Sequence, residues 1–347
     1  MASSKIIVSL TSIKSRENAL RETLATLIAQ DISSSYEVRV YLSREPYLLD
    51  EGFSDEPDWI HGLADGNSNC TLKVYFVRNT GPYRKLMPVL EEFIDGGMKV
   101  LIVTCDDDTH YDSSWLRTLL HYDSLTSGLV AFRGHTAALS SIEYSLLPYT
   151  AWQSNHDKCH YSLGNLPTGK DGVVYRPYYF DRSVLDIDTA MLLAPTADDL
   201  WFRWHSILRG VPCYLIYLQG QTYKAVPSFE QEMSLWQRYN KNGGNDLAID
   251  ALETHFHEVF GTSVANELKK YVQALNATFL PSFDASLSCL AKLAARQVRM
   301  HNTMLGAPVN FRSVCAMTYE HTLLALCSGV HADPHGTGHR REVYRGH

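Results

Sequence analysis

Short apolar runs alternate with amphipathic stretches along the first 135 residues of the chain. Five runs rich in β-branched residues predict strands, at residues 5–10, 37–42, 71–77, 100–103 and 128–133. Between them, apolar residues recur at helical spacing and predict helices, at residues 16–29, 83–94 and 113–125. Because strands that alternate with helices form βαβ units, the pattern predicts an α/β fold built on a largely parallel sheet.

This alternation loosens after residue 135. Residues 135–182 carry short strand-like pieces among Tyr, His, Gly and Pro, and the apolar run at 188–193 is interpreted as a strand ahead of an acidic pair. A helix at 196–209 and a strand at 212–218 follow. From residue 229 onward the spacing predicts helices alone, at 229–239, 246–260, 263–276, 284–304 and 311–327.

The change of pattern predicts three regions. An α/β domain is expected over residues 1–225, with an internal division between 1–135 and 136–225. An all-helical region is expected over 226–330, and the tail at 331–347 has Gly, Pro and charge without periodicity, which predicts disorder.

Composition narrows the classes of function. Hydrophobic residues make up 45% and charged residues 20%, as in ordinary globular proteins. The net charge of -7 argues against nucleic acid or an anionic membrane as a partner. We expect no transmembrane segment and no signal peptide, because no apolar run is long enough. The seven cysteines show no CxxC spacing, which favours reduced thiols and a cytoplasmic location.

An acidic cluster follows the fourth predicted strand. Asp106, Asp107 and Asp108 come directly after the apolar run at 100–103. Carboxylates at the carboxyl end of a buried strand suit Mg²⁺ or Mn²⁺, with Asp108 as the first expected ligand and Asp106 as the second. In an extended chain these two side chains would share one side, with Asp107 opposite. A solvated turn before the next helix is the alternative, and a DxDxT phosphatase motif is disfavoured because His110 replaces its Thr.

Two further groups complete the candidate site. The pair Asp198 and Asp199 opens a predicted helix and is expected to supply a general base, although acids are also favoured there by the helix dipole. Arg84 and Lys85 begin the helix after the third strand and are expected to meet phosphate oxygens. A solvated helix start is the alternative for this basic pair.

Taken in order, these motifs resemble the GT-A type nucleotide-sugar glycosyltransferases, similar to the family 2-like enzymes of bacterial and large-virus polysaccharide synthesis. The resemblance covers residues 5 to about 225. It rests on five motifs, at residues 7–12 (IVSLTS), 79–85 (NTGPYRK), 105–108 (CDDD), 172–177 (GVVYRP) and 197–202 (ADDLWF).

The resemblance implies a fold and a set of roles. The fold would be a Rossmann-like mixed sheet flanked by helices, with residues 1–135 as the nucleotide half, 136–225 as the acceptor half and an all-helical C-terminal extension. Asp199, or its neighbour Asp198, would deprotonate the acceptor, and Asp108 with Asp106 would hold Mn²⁺ or Mg²⁺. Residues expected to contact the nucleotide are Thr11, Arg16, Ser43, Lys85, Asp106 and Asp107. Ser43 stands where many relatives carry an acid that reads uracil, and Glu45 is its alternative.

The resulting hypothesis is a metal-dependent, inverting glycosyltransferase. It would move a sugar from a nucleotide-sugar donor, with UDP favoured, to a glycan or glycoconjugate hydroxyl. Homo-oligomerisation or fusion to further domains fits the helical region. Aromatic residues expected to face the sugars are Trp152, Tyr161, Tyr175, Tyr178 and Tyr179. The alternatives are a sugar-nucleotide nucleotidyltransferase, disfavoured because residues 11–16 lack glycine, and a non-catalytic carbohydrate-binding protein.

Overall fold

The computed structural model describes residues 4–279, apart from 61, 65–68, 97–98, 155–157, 219–222 and 228–233. Its first half contains six strands and three helices in alternation. In chain order these are β1 (Lys5–Thr11), α1 (Glu17–Ile28), β2 (Tyr36–Leu42), β3 (Cys70–Phe76), α2 (Met87–Phe93), β4 (Val100–Thr104), β5 (Thr109–His110), α3 (Trp115–Leu125) and β6 (Leu129–Ala131).

The second half has shorter strands and longer helices. In chain order these are β7 (Gly134–Thr136), β8 (Gln153–Ser154), β9 (His160–Ser162), β10 (Asn165–Pro167), β11 (Val173–Tyr175), α4 (Ile187–Leu193), α5 (Asp198–Leu208), β12 (Cys213–Leu215), β13 (Lys224–Ala225), α6 (Asn245–Phe260) and α7 (Val264–Phe279). A π-helical segment, Trp236–Gly244, precedes α6.

Eight strands form one mixed sheet in the order β3-β2-β1-β4-β11-β6-β12-β9. Strands β3, β2, β1 and β4 are parallel, whereas β11 runs antiparallel to both β4 and β6. All residues of β4 are buried, as its continuous apolar run predicts for a strand covered on both faces. All residues of β2 are buried as well, although its sequence alternates and includes Glu37 and Arg39. The predicted α/β class, a Rossmann-like mixed sheet flanked by helices, is therefore confirmed.

The antiparallel direction of β11 determines where the site forms. Val173 pairs with Thr104, so the loop that precedes β11 lies at the carboxyl end of β4. A separate three-stranded sheet, β10-β7-β8, leads into this loop, because β10 ends at Pro167 just before it. The carboxyl ends of β1 and β4 therefore meet residues 168–172 at one edge of the main sheet.

Two predicted elements differ from the structure. The run at 188–193 is the helix α4 rather than a strand, because the Asp186 carboxylate accepts hydrogen bonds from the Thr189 backbone N–H and hydroxyl and caps a helical turn. The helix predicted over 83–94 is divided into a 3₁₀ segment, Gly81–Lys85, and α2. The helices predicted at 284–304 and 311–327 and the tail at 331–347 lie outside the described residues.

Contacts between Cα atoms group residues 1–138 and 146–272 into one compact unit, so α6 belongs with the main sheet. Of the remaining described residues, 139–145 and 273–279 are grouped separately. The domain boundary at residue 225 stays a prediction. No helix in the described part of the chain is both long and apolar enough to span a membrane.

Candidate active site

The acidic residues after β4 occupy a turn rather than an extended chain, and the turn changes their orientation. Asp107 and Asp108 form the turn, and both carboxylates pair with one guanidinium nitrogen of Arg16, at 2.9 and 3.2 Å. The Ser12 hydroxyl donates to the second oxygen of Asp107. The expectation that Asp106 and Asp108 share one side was made for an extended chain, and the turn at Asp107 and Asp108 does not meet that condition.

Asp108 is held in a largely dry environment. Its side chain is buried, and its oxygens accept hydrogen bonds from Arg16 and from the Thr109 hydroxyl at 3.1 Å. Burial, followed by the charges of Asp107 and Asp106, raises the pKa of Asp108 to about 7, and Arg16 only partly opposes this. A group with this pKa is half-protonated near neutral pH.

Lys85 links the acidic turn to the second acidic pair. Its ammonium lies 3.2 Å from a carboxylate oxygen of Asp106 and 3.2 Å from one of Asp198. The Ser9 hydroxyl of β1 donates to the Lys85 backbone carbonyl and fixes the residue against the sheet. Burial lowers the pKa of Lys85, but the two carboxylates outweigh it, so the side chain stays a cation.

Asp199 faces the loop that precedes β11. The Gly169 backbone N–H donates to its carboxylate at 3.2 Å, and the side chain stays partly exposed. Burial, then the neighbouring charge of Asp198, raises the pKa of Asp199 to about 7. Asp198 is buried beside Lys85, whereas Asp199 is of intermediate exposure, so Asp199 is the more accessible of the two acids.

Gly169 marks the point at which these side chains converge. A Cβ on Gly169 would lie 2.7 Å from the Lys85 ammonium, 3.4 Å from an Asp199 oxygen and 3.5 Å from an Asp106 oxygen. The loop is held from below, because the Tyr111 hydroxyl donates to the Lys170 carbonyl and the Trp115 indole to the Asp171 carbonyl. Residue 169 must therefore lack a side chain for the three groups to meet.

We call the set of ionisable residues gathered at this edge the charged cluster; it consists of Arg16, Lys85, Asp106, Asp107, Asp108, Asp198 and Asp199. Five carboxylates stand against two cations, so the fully ionised cluster carries an excess of three negative charges. A nucleotide diphosphate is itself anionic, and its approach to such a site needs bound protons or a divalent cation.

The donor atoms of the cluster fit a hard divalent cation. Mg²⁺ prefers oxygen ligands and is commonly bound by one or two carboxylates together with substrate phosphates. Asp106 and Asp108 offer such oxygens, which the structure pairs with Lys85, Arg16 and Thr109. Within the described ranges, no group of three or more His, Cys, Asp or Glu side chains has the arrangement of a metal site. Metal binding by Asp106 and Asp108 stays a prediction.

The other predicted nucleotide contacts have structural partners. The Thr11 hydroxyl donates to the Tyr41 carbonyl of β2 at 2.7 Å. Ser43 is fully buried, and its hydroxyl accepts the Glu45 backbone N–H at 3.1 Å. The Glu45 carboxylate in turn accepts the backbone N–H of Asn79. A contact of Thr11 or Ser43 with a nucleoside stays a prediction.

Arg84 has a different role from the adjacent Lys85. Its guanidinium pairs with Asp50 at 2.9 Å, and both side chains are almost completely buried. Asp50 also accepts hydrogen bonds from the Asn79 amide and from the backbone N–H groups of Lys14 and Gly52. The pair joins the loops that follow β1, β2 and β3, so the expectation that Arg84 meets phosphate is wrong.

Three of the predicted sugar-facing aromatic residues do not gather at the cluster: Tyr161, Tyr178 and Tyr179. Tyr175 and Trp152 are buried, and the Tyr179 hydroxyl donates to the Gly128 carbonyl. Tyr178 and Tyr179 follow β11 and Tyr161 contacts residue 127 ahead of β6, so all three lie toward the opposite edge of the main sheet. The sequence motifs could not predict where these aromatic residues lie, because their places in the fold depend on β11 running antiparallel to β4 and β6.

Gly169 and Asp50 belong to the site or its support and were not singled out from the sequence. Ser12 was noted only as part of the motif at 7–12, and Arg84 was given a different role. The sequence does mark the loop at 170–172 (KDG) as a tight turn, and that turn was the available signal for Gly169. Nothing in the local sequence identifies Asp50. Its side-chain partners Asn79 and Arg84 are 29 and 34 residues away along the chain.

No protein-family model matches the chain, and the comparison with curated proteins found no match. Among solved structures, S. aureus TarS 1–349 aligns at 14% identity and a TM-score of 0.37, over 91% of this chain and 92% of that one. The same protein in complex with UDP-GlcNAc aligns at 15% identity and a TM-score of 0.39, over 91% of this chain and 92% of that one.

The 4-diphosphocytidyl-2C-methyl-D-erythritol synthase from Anaerococcus prevotii aligns at 10% identity and a TM-score of 0.40, over 69% of this chain and 99% of that one. At these TM-scores the likenesses carry no argument about this chain. The functional case therefore depends on the geometry of the charged cluster.

Proposed function

We propose that the chain is a glycosyltransferase that moves a sugar from a nucleotide diphosphate sugar, with a UDP-sugar favoured, to a hydroxyl of a glycan or related acceptor. The observation that carries the proposal is the convergence of Lys85, Asp106 and Asp199 around Gly169 at the carboxyl end of β4. A cation, a potential metal ligand and a base with a near-neutral pKa then lie within reach of one bound molecule.

The base in this proposal is Asp199. Its ionised carboxylate accepts the proton of the acceptor hydroxyl while the acceptor oxygen forms a bond to the anomeric carbon. The bond from that carbon to the phosphate oxygen breaks, and the nucleoside diphosphate leaves with the electron pair. An attack opposite the leaving group inverts the anomeric centre. Asp198 supports the reaction by holding Lys85, which pairs with it at 3.2 Å.

The leaving diphosphate is stabilised by positive charge in this proposal. Lys85 and Arg16 supply two cationic side chains at the acidic turn. A divalent cation held by Asp106 and Asp108 would act as a Lewis acid toward the phosphate oxygens. Asp107, which Ser12 and Arg16 hold in place, is then available to orient the donor.

Product analysis tests the proposal. The purified chain is incubated with a panel of nucleotide sugars, with Mn²⁺ or with EDTA, and the released nucleotide is identified by mass spectrometry. Release of a nucleoside diphosphate that EDTA suppresses and Asp199→Asn abolishes is the expected result. Formation of a nucleoside triphosphate and a sugar 1-phosphate once inorganic pyrophosphate is added would instead indicate a nucleotidyltransferase. Tight donor binding without turnover would indicate a non-catalytic carbohydrate-binding protein.

A further inference from the structure

An aromatic group lies beside the charged cluster on the side of Asp199. We call Tyr149, Trp152, Trp236 and Tyr239 the aromatic wall. The Tyr149 ring centre lies 5.3 Å from that of Trp152 and 6.4 Å from that of Trp236. None of the four residues lies in the five sequence motifs, and only Trp152 was among the aromatic residues expected to face the sugars. The mechanism above uses none of them.

The first half of the wall is attached to the Gly169 loop. The Arg133 carbonyl, just before β7, accepts the Thr168 backbone N–H at 3.0 Å, which joins β7 to the residue preceding Gly169. His135 of β7 in turn packs against Tyr149, with ring centres 5.1 Å apart. Burial, then the charge of Asp199, raises the pKa of Tyr149, so its hydroxyl is within electrostatic reach of the proposed base.

The second half of the wall comes from the π-helical segment, Trp236–Gly244. Asn240 fixes this segment beside α5, because its amide donates to the Thr196 carbonyl at 3.0 Å and its oxygen accepts the Thr196 hydroxyl at 2.6 Å. Thr196 is two residues ahead of Asp198. Trp236 and Tyr239 precede this anchor in the same segment. Burial, then the charge of Tyr239, raises the pKa of Tyr47 in the loop after β2.

The wall combines rigid support with exposed aromatic surface. Trp152 is buried and its indole N–H donates to the Leu147 carbonyl at 2.8 Å, so it supports Tyr149 from the interior. The Asp246 carboxylate accepts the Tyr149 backbone N–H at 2.7 Å and ties the wall to α6. Trp236 and Tyr239 remain 44% and 41% exposed, so the scaffold holds them without burying them.

We propose that Tyr149, Trp236 and Tyr239 form the acceptor subsite, and that its occupant is a sugar ring of a saccharide acceptor. This inference rests on the proposed function and names the chemical class of its acceptor. Amphipathic aromatic rings suit sugars, because they pack against the C–H face of a ring and leave its hydroxyls free for hydrogen bonds.

The order of contacts supports this assignment over a donor site. Arg16 contacts Asp107 and Asp108, Lys85 joins Asp106 to Asp198, and Asp199 lies next along α5. Tyr149 of the wall is linked electrostatically to Asp199, whereas Arg16 contacts Asp107 and Asp108. A sugar on the wall is therefore expected beside the base rather than beside Arg16.

Saturation-transfer NMR tests the subsite without requiring turnover. The probes are the methyl glycosides of glucose, galactose and N-acetylglucosamine, together with maltose and cellobiose. The variants are Trp236→Ala, Trp236→Phe and the matched control Tyr178→Ala, which removes a 64% exposed aromatic residue from outside the wall. We expect at least one saccharide to bind, with an affinity at least tenfold weaker in Trp236→Ala, within about threefold in Trp236→Phe and unchanged in Tyr178→Ala.

Two outcomes would overturn the inference: no saccharide of the panel binds the wild-type chain, or Trp236→Ala binds as tightly as wild type. Donor turnover, measured in parallel without an acceptor, separates this result from the fate of the proposed function. Saccharide binding that depends on Trp236 but comes without donor turnover would retain the subsite and reject the glycosyltransferase. Donor turnover with binding that ignores Trp236 would do the reverse.

Discussion

Replacing Gly169 with alanine perturbs the charged cluster at the point where its members meet. The new methyl group would lie 2.7 Å from the Lys85 ammonium, 3.4 Å from an Asp199 oxygen and 3.5 Å from an Asp106 oxygen. Gly169 does not have a positive φ, so alanine adopts its backbone conformation without strain. The substitution therefore acts on the neighbouring side chains.

The size of the effect follows from these distances. Ordinary van der Waals contact begins at 3.4 Å, so the Lys85 ammonium must retreat by about 0.7 Å. Its ion pairs to Asp106 and Asp198, both 3.2 Å long, then change together. A misplacement near 1 Å costs on the order of 100-fold in rate, so we expect turnover to fall by roughly 10- to 100-fold. The flexible end of Lys85 absorbs the clash, so the cost in stability is about 1 kcal/mol.

The assay is nucleoside diphosphate release with the best donor of the panel, together with the melting temperature. Gly164→Ala is the matched control, because it makes the same change five residues away and its Cβ has no neighbour closer than 3.6 Å. We expect the control to retain wild-type turnover. Full activity in a folded Gly169→Ala variant would refute the claim that Lys85, Asp106 and Asp199 act as one site.

Three further predictions concern single residues. Burial and Asp198 raise the pKa of Asp199 to about 7, so kcat/KM should rise with pH through about 7. Asp199→Asn should lose at least about 100-fold in kcat/KM, and an unchanged pH profile in that variant would contradict the role of Asp199 as base. Asp50→Ala leaves the buried Arg84 charge uncompensated, so the free energy of unfolding in urea should fall by about 3–5 kcal/mol. The double variant Asp50→Leu/Arg84→Met should recover most of that stability, and a loss below about 1 kcal/mol in Asp50→Ala would contradict a stabilising role of the pair. Burial lowers the pKa of His205 from 6.5 to about 3, so the unfolded chain binds its proton first as the pH falls. Relative to His205→Leu, wild type should therefore lose about 1.4 kcal/mol of stability per pH unit below about 6.5, and parallel stability curves would contradict this.

The main sheet was predictable because its strands carry their own signal. β4 is a run of apolar residues that is buried on both faces, and the acids that follow it must then lie at its carboxyl end. That reasoning located Asp106, Asp107 and Asp108 at the edge of the sheet from local sequence alone. It did not predict their orientations, because the turn at Asp107 and Asp108 is stabilised by Arg16, which is 91 residues distant from Asp107.

The remaining parts of the site depend on contacts that are distant in sequence. Lys85 and Arg84 are adjacent in the 3₁₀ segment, yet they have different partners. Lys85 pairs with Asp106, whereas Arg84 pairs with Asp50. Gly169 reaches Asp199 only because β11 runs antiparallel to β4, and β11 is three residues long. Strands this short carry little periodicity, so no local sequence pattern predicts the strand pairing that assembles the acceptor half.

The proposed sugar transfer with Asp199 as the base is tested most directly by following the anomeric carbon and the phosphates of one donor in a single reaction. A nucleotide sugar labelled with ¹³C at the anomeric carbon is incubated with the chain, Mn²⁺ and a bound saccharide, and the products are observed by ¹³C and ³¹P NMR. We expect two products, a nucleoside diphosphate and a new glycosidic linkage of inverted configuration. We expect neither product with Asp199→Asn. A nucleoside monophosphate together with a sugar 1-phosphate, or undiminished transfer by Asp199→Asn, would contradict the proposed transfer.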